Sequence, residues 1–139
     1  MSLEIRPSRI CEQGCFTTEP VARRKKIGAY AGEIIRGERA IRRRQREQER
    51  QGVIKVITLT SALAIDGARG GNATAYINHS CSPNAFMRVV PGDQVMFFAL
   101  RDIAAEEEIT IDYRSEDHPP ARLCRCGAPN CRSLKCDRG

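Results

Sequence analysis

Apolar and polar residues alternate along this chain in short runs interrupted by Gly and Pro, the period-two pattern of half-buried strands. LEIRPS (3–8), IGAYAGEII (27–35), VIKVITL (53–59) and ALAID (62–66) predict strands from their β-branched or alternating content. AFMRVV (85–90) and QVMFFAL (94–100) flank Pro91-Gly92-Asp93, an order that suits a tight turn, and so predict a hairpin. EEITIDY (107–113) predicts a further strand. Residues 36–50 break the alternation: Arg39, Arg42, Arg43, Arg46 and Arg50 follow helical spacing and predict a single basic helix. The expected fold is mainly β (α+β), with that helix, a few short helical turns and no internal repeat.

Composition bounds this picture without redirecting it. A chain of 139 residues with 41% hydrophobic content fills one modest core. No apolar run approaches the roughly 18 residues of a membrane helix, and MSLEIRPSR lacks the apolar centre of a secretion signal, so a soluble, intracellular protein with no membrane contact is expected. The net charge of +6 favours phosphates or acidic surfaces as partners. Seven arginines between Arg36 and Arg50 concentrate that charge. They form either a solvated face partly neutralised by Glu38, Glu47 and Glu49 or a strip for nucleic-acid contact.

The candidate chemistry lies in the cysteines. There are seven, an odd number that argues against a disulfide framework and for metal ligation plus free thiols. From Ser115 the chain reads SEDHPPARLCRCGAPNCRSLKCDRG, too polar and too rich in Pro and Cys to fold on apolar burial alone, which predicts a metal-stapled tail. Cys124, Cys126 and Cys131 have the spacing C-x-C-x4-C, and the Gly127–Pro129 turn lets three sulfurs face one tetrahedral zinc. A fourth ligand is still required. Cys136 would make the tail self-contained, whereas Cys81, within YINHSCSPNA (76–85), would tie it to the body of the domain. Cys11 and Cys15 have no matching second pair and read as packed or free thiols.

These segments together resemble a SET-domain protein lysine methyltransferase with a post-SET zinc motif. Gly14-Cys15-Phe16 is similar to the family's opening glycine loop, and IGAYAGEII to its strand with Tyr30, Gly32 and Glu33. IDGARGGNATAYINHSCSPNA (65–85) resembles the central signature, EEITIDY the closing one, and CRCGAPNC (124–131) the post-SET motif. The resemblance implies a β-clip-like fold of small sheets with a knot-like C-terminal crossing, a SET domain over 1–114 and a post-SET zinc tail over 115–139.

It also implies an activity: methyl transfer from S-adenosylmethionine to a lysine of a basic protein tail, histone or histone-like. The methyl donor would lie against Cys11, Glu12, Gln13, Gly14 and Cys15, largely through backbone groups, with Asn78 and His79 at its adenine side and Arg125 closing over it. Tyr113 and Tyr30 would line the channel through which the target lysine enters, Tyr113 in the leading catalytic role. One structural zinc would be held by Cys81, Cys124, Cys126 and Cys131. Localisation would then be nuclear or chromatin-associated in a eukaryote, and cytoplasmic or at the nucleoid in a bacterium.

Several positions depart from the family's pattern. Glu12 replaces the first glycine of the opening loop, and Ala75 stands where arginine is common. Arg24 and Glu106 replace glycines of surface turns and are expected to be tolerated. Ile111 occupies a substrate-channel position often held by Phe or Tyr. It cannot hydrogen-bond an active-site water, so looser control and some di- or trimethylation are expected. The competing expectation is a catalytically weak SET-like module that binds nucleic acid or chromatin through residues 36–50.

Overall fold

The structure, a computed structural model, describes residues 2–10, 12–53 and 55–112. The alternating runs become strands of two to six residues arranged in four small sheets. Strands β1 (Leu3–Pro7) and β2 (Gln13–Thr17) pair antiparallel, with Arg6 opposite Gly14 and Ile5 opposite Cys15. A second sheet takes β3 (Lys26–Ala29), a third takes β4 (Glu33–Arg36), and between β4 and the next strands lies α1 (Glu38–Gln51). Strands β5 (Val56–Thr60) and β6 (Leu63–Asp66) join β4 in the order β4-β6-β5. A 3-10 turn over Ala73–Tyr76 leads into β7 (Asn78–His79). Strands β8 (Ala85–Val90) and β9 (Gln94–Ala99) then complete the β3-β9-β8 sheet, and β10 (Thr110–Ile111) returns to pair with β7.

The β8–β9 hairpin forms where the pattern placed it, with Gly92 at φ 91° and Asp93 at φ 57° making the left-handed turn. Elsewhere the expectations need correction. IGAYAGEII is two strands in two different sheets, because at Gly32 the chain passes so close to the Asp66 carbonyl that any Cβ would overlap it. EEITIDY contracts to Thr110–Ile111, since Glu108 makes only an isolated bridge to Phe16. Gly14-Cys15-Phe16, read from the sequence as a loop, lies within strand β2.

The helix carries the expected arginines. It ends at Gly52, left-handed at φ 73°, whose N–H donates to the Gln48 and Glu49 carbonyls. Ile41 and Gln48, two turns apart and therefore on one face, are its buried residues. Ile41 joins Ile35, Val56 and Ala64 in a small apolar cluster. Gln48 and Arg44 instead reach Asp66, which is fully buried: Gln48 Nε2 and Arg44 Nη1 donate to its two oxygens at 2.7 and 2.6 Å. Arg39, Arg42, Arg43, Arg46 and Arg50 are exposed.

The main core lies between the sheets and contains Phe97, Ile103 and Ile109 with Tyr30 and Ile111 at its margin. Arg24 and Glu106 adopt φ of 71° and 69°, the left-handed region that glycine favours, and each is held there by a backbone hydrogen bond, to Ala99 and Thr17 respectively. Among the described residues no helix is long and apolar enough to cross a membrane. The expected C-terminal crossing and zinc tail run into residues 113–139, outside the described residues.

Candidate active site

Three segments distant in sequence meet around β7. Asn78 Nδ2 donates to the Gln13 carbonyl at 2.8 Å and to Glu108 Oε2 at 2.9 Å, with Ser8 Oγ at 3.3 Å. The Ser8 hydroxyl lies 2.8 and 2.9 Å from the two Glu108 oxygens and accepts from the Ile10 N–H at 3.0 Å. The Glu108 carboxylate is therefore an acceptor shared by the first strand pair and by β7, satisfied by hydrogen bonds rather than by an ion pair. Gly14 abuts the same carboxylate: a Cβ there would overlap Glu108 Oε2.

Parallel pairing of β7 with β10 sets Thr110 beside Asn78 and Ile111 beside His79, and the Ser80 N–H donates to the Ile111 carbonyl at 2.9 Å. Two residues pair too little chain to hold by themselves. Asn84, buried, supplies the missing support: its Oδ1 accepts from the Thr110 N–H at 2.9 Å and its Nδ2 donates to the Glu108 carbonyl at 2.8 Å. Ser8, Asn84 and Glu108 were not singled out as site residues from the sequence. Glu108, the last of three consecutive glutamates and the one next to Ile109, carried no distinguishing signal, and neither did Ser8.

His79 lies between a thiol and a carboxylate. Its Nε2 is 3.3 Å from Cys81 Sγ, and its Nδ1 is 3.7 Å from Asp112 Oδ1, an ion pair only when the ring is protonated. Cys81 is buried and forms no disulfide with Cys15, the other cysteine among the described residues. That chemistry fits a zinc ligand whose thiolate takes a hydrogen bond from an imidazole N–H, with the imidazole oriented by a carboxylate. Among the described residues no group of three or more His, Cys, Asp or Glu could hold a metal. Cys124, Cys126 and Cys131 lie outside them, as do Cys11, Tyr113 and Arg125.

The remaining predicted residues separate by burial. Glu12 and Gln13 are exposed, whereas the Cys15 side chain is wholly inside the core and its carbonyl accepts from the Ile109 N–H at 2.8 Å. Burial, with the nearby Glu108 charge, pushes the Cys15 thiol up to about 12, so it stays protonated and packs as an apolar group. Tyr30 is buried against Phe97, ring centroids 6.0 Å apart, and its hydroxyl donates to the Lys55 carbonyl at 2.6 Å. Ile111 is buried in the same core.

Among the described residues the chain forms small sheets, one α-helix and the β7–β10 junction. A family model, described as the SET domain, matches residues 12–114, and the chain belongs to the SET-domain family. Among curated proteins it is 33% identical over 135 residues to a histone-lysine N-methyltransferase, H3 lysine-4 specific, from Schizosaccharomyces pombe, covering 94% of this chain and 15% of that protein. It is 35% identical over 131 residues to the histone-lysine N-methyltransferase trr of Drosophila melanogaster, covering 90% of this chain and 5% of the relative. It is 33% identical over 129 residues to the histone-lysine N-methyltransferase trithorax of Drosophila virilis, covering 90% of this chain and 3% of the relative. The chain thus spans a small fraction of the length of these relatives.

Proposed function

We propose that this domain is a protein-lysine N-methyltransferase acting on a lysine of a basic protein tail, with histone the favoured substrate class and chromatin the place of action. The observation that carries the reading is the Asn78 side chain bridging Gln13 and Glu108. It joins the opening segment and the central signature, the two segments assigned to the methyl donor. Family membership and the names of the relatives point the same way.

When bound, S-adenosylmethionine supplies an electrophilic methyl on a sulfonium. The chain's residues would hold it and prepare the amine. Glu12, just before β2, and Gln13 and Gly14 at its start would offer backbone groups, and Gly14 suits this place because the chain packs there without a side chain. Cys11 and Arg125 would complete the enclosure. Asn78 is a positioning residue, since its amide is committed to Gln13 and Glu108; with His79 it would present main-chain groups to the adenine. Cys15 contributes main chain only.

A free lysine has a pKa of about 10.4, so the target must shed a proton before it attacks. An apolar wall such as Ile111 disfavours the charged amine and helps that loss. Tyr30 has given its only proton to the Lys55 carbonyl, so towards any further partner its hydroxyl acts as an acceptor, suited to an amine N–H. Tyr113 would orient the amine near the reacting centre, and most of the acceleration would come from alignment. Zinc would be held by Cys81, Cys124, Cys126 and Cys131, fastening the tail over both sites.

A second reading has its own observation: Arg39, Arg42, Arg43 and Arg46, together with Glu38, line an open depression on α1, where Glu38 pairs with Arg42 at 2.9 Å. In this reading the domain holds nucleic acid through that face. Incubation with labelled S-adenosylmethionine and core histones separates the two. Label on lysine supports the first; no label together with DNA binding that falls steeply with salt and is lost in an Arg42→Gln, Arg43→Gln double variant supports the second.

A further inference from the structure

We propose that the outward face of α1, formed by Arg39, Arg43, Arg46 and Arg50, is a docking surface for the phosphate backbone of duplex DNA, used together with methyl transfer and not in its place. Docking stands on the helix alone. Its consequence, a preference for histone in chromatin over free histone, rests on the methyltransferase reading.

Ile41 and Gln48, the buried residues of α1, fix which side of the helix meets the protein. At about 100° per residue, Arg39, Arg43, Arg46 and Arg50 fall within an arc of roughly 60° whose midline is about 180° from that buried side. All four are exposed. They form a straight stripe about 16 Å long over about three turns. The opposite side is fastened to β6: Gln48 Nε2 and Arg44 Nη1 hold the buried Asp66 at 2.7 and 2.6 Å. The stripe is thus carried on a helix anchored at two polar contacts as well as at Ile41.

The helix's own carboxylates do not neutralise it. Glu38 pairs with Arg42 at 2.9 Å, Glu47 lies 4.0 Å from Arg44, and Glu49 is set about 90° round the helix from the midline of the stripe. Among the described residues none of the four arginines takes part in an ion pair. Like charges three and four residues apart repel one another on a helix, so an anion laid along the stripe relieves that repulsion. Arg39, Arg43 and Arg46 also line an open depression that Glu38 and Arg42 share. A guanidinium is always charged and its fork matches a phosphate bidentately. Duplex DNA presents a phosphate about every 3.4 Å along each strand, so the stripe spans roughly five of them. A long row of one sign suits this regular polymer, and none of the four arginines belongs to the candidate active site, so docking and transfer do not compete for residues.

The test measures binding of the whole chain to a fluorescent DNA duplex of about thirty base pairs and arbitrary sequence, by anisotropy across a salt series. A quadruple variant, Arg39→Gln, Arg43→Gln, Arg46→Gln and Arg50→Gln, is compared with a control that removes the same charge elsewhere, Arg23→Gln, Arg24→Gln, Lys25→Gln and Lys26→Gln. Circular dichroism confirms folding, and single Arg43→Gln and Arg43→Lys variants decide the matter should the quadruple variant unfold. The quadruple variant should lose about tenfold or more in affinity at low salt and flatten the slope of log affinity against log salt by about three, with Arg43→Gln flattening it by about one. Arg43→Lys and the control should stay close to the wild type. No duplex binding by the wild type, an equal loss in the control, or polyglutamate bound as tightly as the duplex through the same arginines overturns the inference, the last in favour of an acidic protein. Methylation of free histone H3 and of nucleosomes is followed alongside: the quadruple variant should keep the wild-type rate on free histone and lose the preference for nucleosomes. Duplex binding through the stripe with no methylation of either substrate would leave the docking surface standing and remove the methyltransferase reading.

Discussion

Asn78 and Glu108, thirty residues apart, are joined by a 2.9 Å hydrogen bond from the Asn78 amide to the Glu108 carboxylate, and the same amide holds the Gln13 carbonyl. This contact ties the first strand pair to the β7–β10 junction. Everything proposed for methyl-donor binding depends on that tie.

Replacing Asn78 by Ala removes a donor from a carboxylate and from a carbonyl at once. Donor affinity, read by isothermal titration with S-adenosylmethionine, should fall about tenfold, the order of one charge-assisted hydrogen bond. Unchanged affinity in a folded variant would remove Asn78 from the donor site.

Gly14→Ala should destabilise the domain, because the new methyl overlaps Glu108 Oε2. In a Glu108→Ala background the severe overlap is gone and only Ser8 Cβ, 3.0 Å away, remains close. The two substitutions should therefore be strongly non-additive in urea denaturation, whereas additive losses would show that Gly14 is required for another reason.

Much of this arrangement can be traced to particular sequence features, and some of it cannot. The β8–β9 hairpin was legible because strict alternation met a Pro-Gly-Asp turn, and α1 because its arginines recur at helical spacing. Asn78 and Cys81 stood out in one short segment, YINHSCSPNA, but the hydrogen bonds of the Asn78 amide to Gln13 and Glu108 did not. The parallel pairing of β7 with β10 was not, since a two-residue strand has no period to read. The Ser8–Glu108 contact links residues a hundred positions apart, and nothing local marks it. Tyr30 looked like mid-strand; its place at a sheet boundary is set by the close approach of Gly32 to Asp66, a tertiary constraint.

Stability should depend on pH through Glu107. Burial alone would raise its pKa, but hydrogen bonds from Arg101, the Ala104 N–H and Asn84 outweigh burial and hold it below the ordinary carboxylate value. A lowered native pKa stabilises the fold above the unfolded value of about 4.3, and that contribution is lost as pH falls through the native one. Arg101→Met should cost under about 1 kcal/mol at neutral pH, as expected for a partly exposed pair, and the two proteins should converge in acid. Urea midpoints at both pH values check this; an equal gap at both would contradict it.

Zinc removal should act on both sites. Purified protein should contain one zinc per chain by mass spectrometry of the metal. Chelation or Cys81→Ser should lower that content and weaken S-adenosylmethionine binding together, since Cys81 follows His79 by two residues and the two side chains touch. Release of zinc by Cys136→Ser but not by Cys81→Ser would place the fourth ligand in the tail instead.

The central claim is lysine methylation, and the most direct measurement is mass spectrometry of histone H3 incubated with saturating S-adenosylmethionine and either the wild type or Tyr113→Phe. The account predicts methyl-lysine with the wild type, including di- or trimethyl product because Ile111 is aliphatic, and loss of most product with Tyr113→Phe. Strictly monomethyl product would contradict the reading of Ile111. Absence of any methyl-lysine with folded, zinc-loaded wild type, or equal yield from Tyr113→Phe, would contradict the account.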